Sequence, residues 1–325
     1  MPKMITPSKK AKQRILSPFE WVIERPTRQD FATRVDRLDD LDPEIVQAIQ
    51  AELTPGEQTL ILLKVPSQVV EEGGKDSKRF FFNSRRILTP NWILALTAQR
   101  LLLVSVTPAG VVTQLQAIPF EHLLSFQMGS ILLFSWIEFS SLQQGRIRPT
   151  RIYYNTSRSE LFEELSIQLR TLISGQKALA SPSTEVESPL LNPLSYKFRN
   201  MISMYLLLPG EQIQSLLFRP AIWQGRSFYR RELAANLAIV TSHFYFMLAE
   251  ENMSNTKAKY GMIYSYIPLA RVKDLSVRQE PERLQLLLTT RLQNLEQEFK
   301  VLFPPERENE LKAFVDQFNR RHAPK

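Results

Sequence analysis

The chain has 325 residues, of which 43% are hydrophobic and 23% charged, with a formal net charge of +8 and no cysteine. This length fits two ordinary domains with buried cores, and the composition is that of a globular protein rather than a disordered chain. The lack of cysteine excludes a disulfide framework, a thiolate metal site and a thiol nucleophile. The positive charge favours an acidic partner, which is an anionic lipid surface, a nucleic acid or an acidic protein.

Residues 1–40 are interpreted as a partly ordered basic tail, either solvated or lying on an anionic partner. No apolar signal core follows its basic residues, and PFEWVIERP is too short and too charged to be one. The longest apolar runs, SILLFSWIEF and MYLLLPG, fall short of the roughly 20 residues that a membrane-spanning helix needs. We therefore expect a cytoplasmic protein.

Four segments of the first half recur in the same order in the second half. The matched pairs are PGEQTLILLKVP (55–66) with PGEQIQSLLFRP (209–220), TAQRLLLV (97–104) with TSHFYFML (241–248), IPFEHL (118–123) with IPLARV (267–272), and Glu160-Leu161 with Glu310-Leu311. Spacing differences between the matches indicate insertions in loops. A duplicated domain is the simplest explanation. The first copy is placed at 41–174, a Pro- and Ser-rich linker at 175–194, and the second copy at 195–325.

Each copy is predicted to begin with a short helix before Pro-Gly-Glu-Gln and to continue in strands. Apolar runs on both sides of Thr-Ala-Gln and Thr-Ser-His predict a β-hairpin in each copy. Later strand pairs are predicted to turn at Met128-Gly129-Ser130 and at Gln279-Glu280-Pro281-Glu282. A last strand, RIYYN or EFKVLF, then precedes the closing helix.

The closing helices carry apolar stripes at helical spacing. These stripes are Leu161, Leu165, Leu169 and Leu172 in the first copy, and Leu311, Phe314, Val315 and Phe318 in the second. Ser157 and Glu160 are predicted to form a capping box, and Pro304-Pro305 to end the preceding strand. Each helix is therefore expected to pack on the strands of its copy.

This pattern resembles the bacterial pleckstrin-homology-like domains, including the GRAM and YokE-like groups. The resemblance rests on the early Gly-Glu, the strand-turn-strand around Thr-x-x-Arg/Phe, the Ile-Pro strand and the final amphipathic helix, and it covers 50–173 and 204–321. It implies a mainly β (α+β) fold of two antiparallel β-barrels, each closed by its C-terminal amphipathic helix. The family's barrel serves lipid binding, protein docking and assembly alike, so it does not decide the function.

A basic-aromatic cluster follows the first strand of each copy, where lipid-binding pleckstrin-homology domains carry phosphate-contacting residues. The candidate ligands for anionic lipid or an acidic partner are Lys75, Lys78, Arg79, Arg85 and Arg86, and Arg226, Arg230 and Arg231. Lysine and arginine gain roughly 1 kcal/mol each near an anionic leaflet. Lys64 and Arg219, near the family's basic position, are out of register with each other, so we expect them to point to opposite faces. The alternative is a strand whose charged residues are merely solvated.

Other chemistry finds little support in the sequence. The three histidines, His122, His243 and His322, occupy unmatched positions, and no carboxylate set with metal-ligand spacing accompanies them. Gly73-Gly74-Lys75 lacks the earlier glycine of a phosphate loop. No nucleic-acid-binding signature is present. We therefore expect no catalytic residue, no metal and no cofactor, and no nucleic-acid partner.

The sequence favours a non-enzymatic tandem adaptor or scaffold whose protein partners dock on strand edges or in grooves beside the closing helices. The alternative is a peripheral membrane module that binds anionic lipid at the inner face of the membrane through both basic-aromatic loops. The sequence specifies neither the partner nor the oligomeric state.

Overall fold

The computed structural model describes residues 31–72, 85–107, 109–131, 134–175, 188–223, 231–250 and 261–322. The described residues form a mainly β structure in which every strand pair is antiparallel, as the sequence predicts. We call residues 31–175 the N-terminal half and residues 188–322 the C-terminal half. None of the described helices combines the length and the apolar character needed to span a bilayer.

After the two-residue strand β1, the N-terminal half has one helix, continues in strands and ends in a second helix. Its helices are α1 (Pro43–Glu52) and α2 (Ser159–Ser174). Its strands are β1 (Thr33–Arg34), β2 (Thr59–Val65), β3 (Val69–Glu72), β4 (Arg85–Leu88), β5 (Asn91–Thr97), β6 (Arg100–Val106), β7 (Val112–Pro119), β8 (Leu123–Ile131), β9 (Phe134–Gln143) and β10 (Arg146–Asn155).

The C-terminal half repeats this order. Its first helix is α3 (Tyr196–Met201), which continues as a π-helix (Ile202–Leu206), and its last helix is α4 (Glu308–His322). Its strands are β11 (Ser215–Arg219), β12 (Ile222–Trp223), β13 (Arg231–Leu233), β14 (Asn236–Val240), β15 (Phe244–Glu250), β16 (Met262–Pro268), β17 (Val272–Gln279), β18 (Leu284–Leu292) and β19 (Leu295–Phe303).

The strands of the described residues form open sheets, and no closed barrel is found among them. A five-stranded sheet has the order β1-β2-β5-β6-β7, a three-stranded sheet the order β17-β18-β19, and β3-β4 and β12-β13 form two separate ribbons. The largest sheet runs β10-β9-β8-β16-β15-β14-β11 and contains strands of both halves. The halves are therefore joined edge to edge through β8 and β16.

The repeated Pro-Gly-Glu-Gln phrase forms a turn whose glutamate fixes the next hairpin. In the N-terminal half, the Glu57 amide donates to the Thr54 carbonyl (2.9 Å), and Gly56 has a φ of 82°. A positive φ at this point of a Pro-Gly turn favours glycine. The Glu57 carboxylate then accepts hydrogen bonds from the Thr54 amide (2.9 Å) and from Thr97 Oγ1 (2.6 Å), at the end of β5. The turn is thus tied to the hairpin.

The C-terminal half repeats these contacts residue by residue. The Glu211 amide donates to the Leu208 carbonyl (2.9 Å), and the Glu211 carboxylate accepts from the Leu208 amide (3.0 Å) and from Thr241 Oγ1. Gly210 has a φ of 78°. The repeated sequence is therefore explained by a buried carboxylate that satisfies backbone and hydroxyl donors between two strands.

In each half, the first sheet has one helix packed on each of its two faces. In the N-terminal half, Ile45 and Ile49 of α1 contact the face that carries Leu62, Ile93 and Leu102. The opposite face belongs to a core shared with β8–β10 and with Phe162, Leu165 and Leu169 of α2. The closing helix therefore packs on the strands, as its apolar stripe predicts.

The C-terminal half follows the same plan, but its α3 lies at the junction. Its inner face, with Leu217 and Val240, packs against the three-stranded sheet and against Phe314 of α4. Its outer face packs against Phe198 of α3 and Ile202 of the π-helix, in the core that also contains α2. Part of the segment interpreted as a linker also packs in this core, since Leu191 and Leu194 are buried there.

Two local predictions are wrong. The turn expected at Met128-Gly129-Ser130 is continuous strand in β8, because Gly129 faces the Trp136 ring, which would lie 2.3 Å from an added Cβ. Close approach therefore requires this glycine, not a turn. The capping box expected at Ser157 and Glu160 is replaced by Asn155, whose Oδ1 accepts from the Ser157 amide (3.0 Å). A turn of 3-10 helix at Thr156–Arg158 moves the start of α2 to Ser159.

Candidate functional site at the junction of the two halves

The pairing of β8 with β16 creates the surface on which the site is built. The register runs from Met262 opposite Ser130 to Tyr266 opposite Phe126. The Phe126 and Tyr266 rings stack with centroids 4.5 Å apart, which adds to the strand pairing across the junction. Side chains of the two halves thus lie side by side on one face of a continuous sheet.

Two helical segments, one from each half, cover this face. Arg170 of α2 is almost fully buried and directs its guanidinium to backbone carbonyls of the π-helix, at Leu206 and at Tyr205 (3.3 Å). A cation at the C-terminus of a helix also interacts favourably with its unsatisfied carbonyls. Burial lowers the pKa of this guanidinium, while Tyr266 and Glu211 raise it. Arg170 therefore joins the N-terminal half to the helix end of the C-terminal half.

A second arginine makes the reverse connection. Arg271, which follows β16, donates to the carbonyls of Leu123 (3.2 Å), Phe120 (3.3 Å) and Glu121 (2.8 Å) at the turn before β8. Burial lowers the pKa of Arg271, and Glu121 opposes this effect. Each half thus satisfies backbone carbonyls of the other, which fixes the geometry of the junction.

A cavity of about 230 Å³ lies between α2, the π-helix and the sheet. Both halves contribute to its walls. The lining residues are Met128, Gly129, Ser130, Ser135, Tyr154, Thr156, Ser159, Glu163, Ser166, Ile167 and Arg170 of the N-terminal half, and Met201, Met204, Tyr205, Met262, Tyr264 and Tyr266 of the C-terminal half. Four methionines and four tyrosines make up eight of these seventeen residues, five more are serine or threonine, and Glu163 and Arg170 are the charged ones.

The mouth of the cavity is apolar and open to solvent. Met204 is 64% exposed and Ile167 is 39% exposed, and both line the cavity. We call the cavity together with these two residues the junction groove. Large apolar side chains exposed together beside a cavity are typical of a binding surface. Methionine suits such a surface because its flexible thioether adapts to different partners.

The groove contains one carboxylate, Glu163, surrounded by tyrosines. Burial raises the Glu163 pKa, Ser159 lowers it by hydrogen bonding, and Glu160 raises it. Burial raises the pKa of the Tyr154, Tyr205 and Tyr264 hydroxyls, and the negative charge of Glu163 raises each of these pKa values further. A perturbed carboxyl group inside a cavity is a common property of binding and catalytic sites.

Several hydroxyl groups that line the groove already have hydrogen-bond partners within the protein. Ser135 Oγ donates to Ser130 Oγ (3.1 Å) and lies 2.9 Å from Thr156 Oγ1. The Tyr264 hydroxyl donates to Met201 Sδ (2.7 Å), and the Tyr266 hydroxyl donates to the Tyr205 carbonyl (3.1 Å). In the described part of the chain, no three His, Asp or Glu side chains are grouped as metal ligands.

The structure describes three of the eight basic residues predicted from the sequence, and these three lie outside the junction groove. Lys75, Lys78, Arg79, Arg226 and Arg230 are outside the described residues. Arg85 and Arg86 lie in β4, opposite Glu72 and Glu71 of β3, and Arg231 lies in β13, opposite Trp223 of β12. Arg85 and Arg86 thus belong to one ribbon and Arg231 to the corresponding ribbon of the other half, and neither ribbon lines the junction groove.

Lys64 and Arg219 point to opposite faces, as their register predicts. Lys64 is exposed, beside the Leu62 face of β2 that contacts α1. Arg219 is buried between the sheets of the C-terminal half, where it donates to the carbonyls of Leu302 and Ala234. Burial, with a contribution from Arg307, lowers the pKa of Arg219 to about 10. The two residues therefore do not form equivalent phosphate sites.

Sequence reasoning missed the residues of the junction groove. A signal for them is present in the repeat: Tyr264 and Tyr266 match Leu115 and Ala117 of the first copy. The tyrosines are thus specific to the strand that pairs across the junction. On α2, Glu163, Ile167 and Arg170 follow helical spacing on a face adjacent to the predicted apolar stripe.

No protein-family model matches the chain, and no curated protein matches it.

Proposed function

We propose that the chain is a non-enzymatic adaptor, built from two pleckstrin-homology-like domains, that captures a segment of a protein partner in the junction groove. The observation that carries this proposal is the exposure of Met204 and Ile167 at the mouth of a cavity that both halves line. A groove between two helices over a sheet suits an apolar side chain presented by a partner segment.

The order of elements supports the domain assignment. Each half has a first sheet of antiparallel strands, then three consecutive strands, then a C-terminal amphipathic helix. This is the order that the resemblance to pleckstrin-homology-like domains implies. In this arrangement the groove lies beside α2, the closing helix of the first domain.

The charges around the groove favour a protein segment over an anionic membrane. Glu163 lies within the cavity, whereas Glu160 and Glu164 of the same helix are ion-paired with Arg158 and Arg34. An anionic leaflet attracts basic surfaces and is repelled by acidic ones. A partner segment that is neutral or basic avoids this repulsion and can bury the exposed Met204 side chain.

Site-specific crosslinking tests the proposal. A photoreactive amino acid at position 204 is expected to crosslink to one partner protein in cells, whereas the same amino acid at Leu88, another exposed apolar position, should not. The purified partner should then bind Met204→Glu at least about tenfold more weakly than the wild-type chain, a difference of about 1.4 kcal/mol. Binding should be unchanged in Leu88→Glu. Equal affinity for both variants would contradict the proposal.

A second candidate function rests on the matched ribbons. Because β3-β4 and β12-β13 occupy corresponding places in the two halves, Arg85 and Arg86 of the first cluster and Arg231 of the second lie on equivalent ribbons. Two weak lipid sites on one chain would reinforce each other if both faced one membrane.

A further inference from the structure

The Glu163 carboxylate is set apart from the other acidic groups of α2. Glu160 and Glu164 are ion-paired with Arg158 (3.3 Å) and Arg34 (2.6 Å) on the helix surface. Glu163 lines the cavity instead, and no described lysine, arginine or histidine forms an ion pair with it. A partly buried carboxylate with no cationic partner is costly, and a cation that entered the cavity would offset that cost.

Arg170 lines the same cavity but does not fill this role. Its three guanidinium nitrogens point to backbone carbonyls of Ser166, Leu206 and Tyr205. Its guanidinium carbon lies 4.9 Å from the centre of the Tyr266 ring. The Arg170 donors are thus used by the protein itself, and the Glu163 carboxylate remains available to a ligand.

Aromatic rings stand around the carboxylate. Tyr205 and Tyr264 have ring centroids 5.6 Å apart and planes inclined at 57°, so they form two adjoining walls. Tyr154 also lines the cavity, and its ring is stacked on Phe162. Electron-rich ring faces attract cations, and several tyrosines beside one carboxylate form a site for an organic cation.

We propose that the junction groove binds the side chain of a lysine or arginine of the partner segment, with its cationic group at Glu163 and its methylene stem against the tyrosine and methionine walls. This proposal rests on the proposed function, since it names the feature of the partner that the groove recognises. The volume agrees with one side chain, because about 230 Å³ is less than the roughly 300–1,000 Å³ of sites for drug-sized ligands.

The methionines of the cavity provide a direct readout. Met128, Met201, Met204 and Met262 line it, while Met247 is buried in the other core of the C-terminal half. In protein labelled with ¹³C at the methionine methyl groups, n-butylammonium should shift the signals of the four cavity residues and leave that of Met247 in place. The neutral analogue 1-butanol should bind at least about tenfold more weakly.

Matched variants assign the roles of the side chains. Glu163→Gln keeps the shape of the side chain and removes the charge, so n-butylammonium should bind at least about tenfold more weakly. Tyr205→Leu should weaken it several-fold, whereas Tyr205→Phe, which keeps the ring, should bind it as the wild type does. An unchanged Met247 signal in each variant confirms that the fold is intact.

The outcomes separate this inference from the adaptor function. Equal binding of n-butylammonium and 1-butanol, or undiminished binding to Glu163→Gln, would overturn the cation site. A partner that crosslinks at position 204 and binds Glu163→Gln as tightly as the wild type would support the adaptor function. It would refute the inference that the groove recognises a basic side chain of that partner. If n-butylammonium binds as expected and no partner crosslinks at position 204, the cation site is supported and the adaptor function is refuted.

Discussion

The Arg170 guanidinium of the N-terminal half donates a hydrogen bond to the Leu206 carbonyl of the C-terminal half. Leu206 corresponds in the repeat to Glu52, whose carbonyl is bound by Arg100 of the same half. In the N-terminal half, Arg100 donates to the Glu52 carbonyl at the end of α1 (3.1 Å) and pairs with Glu57 (3.2 Å). The repeat matches Arg100 with Phe244, which is buried in the core at the junction. The second copy thus has no arginine of its own at this position, and the first copy supplies the cap through Arg170.

Arg170→Met is therefore expected to destabilise the protein by about 2–3 kcal/mol, because buried carbonyls lose charged hydrogen-bond donors. Arg320 is the matched control, since it occupies the corresponding position on α4 and is exposed. Arg320→Met should change the free energy of unfolding by less than about 0.5 kcal/mol. Urea denaturation of both variants measures the difference. A small effect of Arg170→Met would mean that the π-helix end does not depend on this cap.

Both halves contain the same glutamate-threonine hydrogen bond, and replacing its threonine by valine should lower the free energy of unfolding by different amounts in the two halves. Thr241→Val and Thr97→Val both remove a hydroxyl donor to the buried carboxylate. Glu57 retains the Thr54 hydroxyl (2.8 Å) and the Arg100 guanidinium, whereas the described contacts of Glu211 retain only a backbone amide. Thr241→Val should cost about 2–3 kcal/mol and Thr97→Val about 1 kcal/mol.

Chemical denaturation of the two valine variants and of the double variant measures these costs. Because the pairs lie in different halves and share no partner, the two effects should add within about 0.5 kcal/mol. Equal losses in the single variants would show that the Arg100 ion pair contributes nothing to holding Glu57 in place.

Much of the fold follows from the sequence because local patterns carry it. The helix before each Pro-Gly-Glu-Gln, the two hairpins and the closing helices lie where periodicity and turn residues predict them. The turn predicted at Gly129 is wrong for a physical reason: glycine marks both turns and close packing, and only the position of Trp136 distinguishes the two.

The junction groove could not be predicted in the same way. An alternating pattern specifies which face of a strand is buried, but not which edge pairs with a distant strand. The pairing of β8 with β16 brings Glu163 near Tyr264, two residues that belong to different copies of the repeat. The sequence signals for this site, such as the difference between Tyr264 and its counterpart Leu115, do not indicate which strands pair.

The lipid-binding alternative predicts that removing the basic residues of the two clusters weakens binding to anionic membranes. Replacing Arg85, Arg86, Arg230 and Arg231 by alanine should reduce co-sedimentation with anionic liposomes at least about tenfold at physiological salt, since each basic residue contributes roughly 1 kcal/mol near the surface. The control removes four exposed charges elsewhere, at Arg291, Lys300, Lys312 and Arg320. Equal losses in the two variants would indicate non-specific attraction, and absence of binding by the wild-type chain would remove the clusters from the account.

Two carboxyl groups should give opposite dependences of stability on pH. Burial raises the Glu57 pKa, but hydrogen bonds from Thr97 and Thr54 and the Arg100 charge lower it below the ordinary value of 4.5. Its charged form therefore stabilises the fold above the unfolded-state pKa, and this stability is lost as pH falls through the folded-state pKa. Glu57→Gln should be less stable than the wild type at neutral pH, and the difference should shrink in acid.

Glu163 is expected to behave in the reverse manner. Burial raises its pKa above 4.5, so the folded state binds its proton more tightly than the unfolded state does. Stability is then lost as pH rises from the unfolded-state pKa to the folded-state pKa. Glu163→Gln should match the wild type below about pH 4 and be more stable at neutral pH, as thermal unfolding across this range will measure. A variant that gains stability while losing affinity for n-butylammonium would identify Glu163 as a residue retained for binding at the expense of stability; a variant that is less stable at neutral pH would contradict the raised pKa.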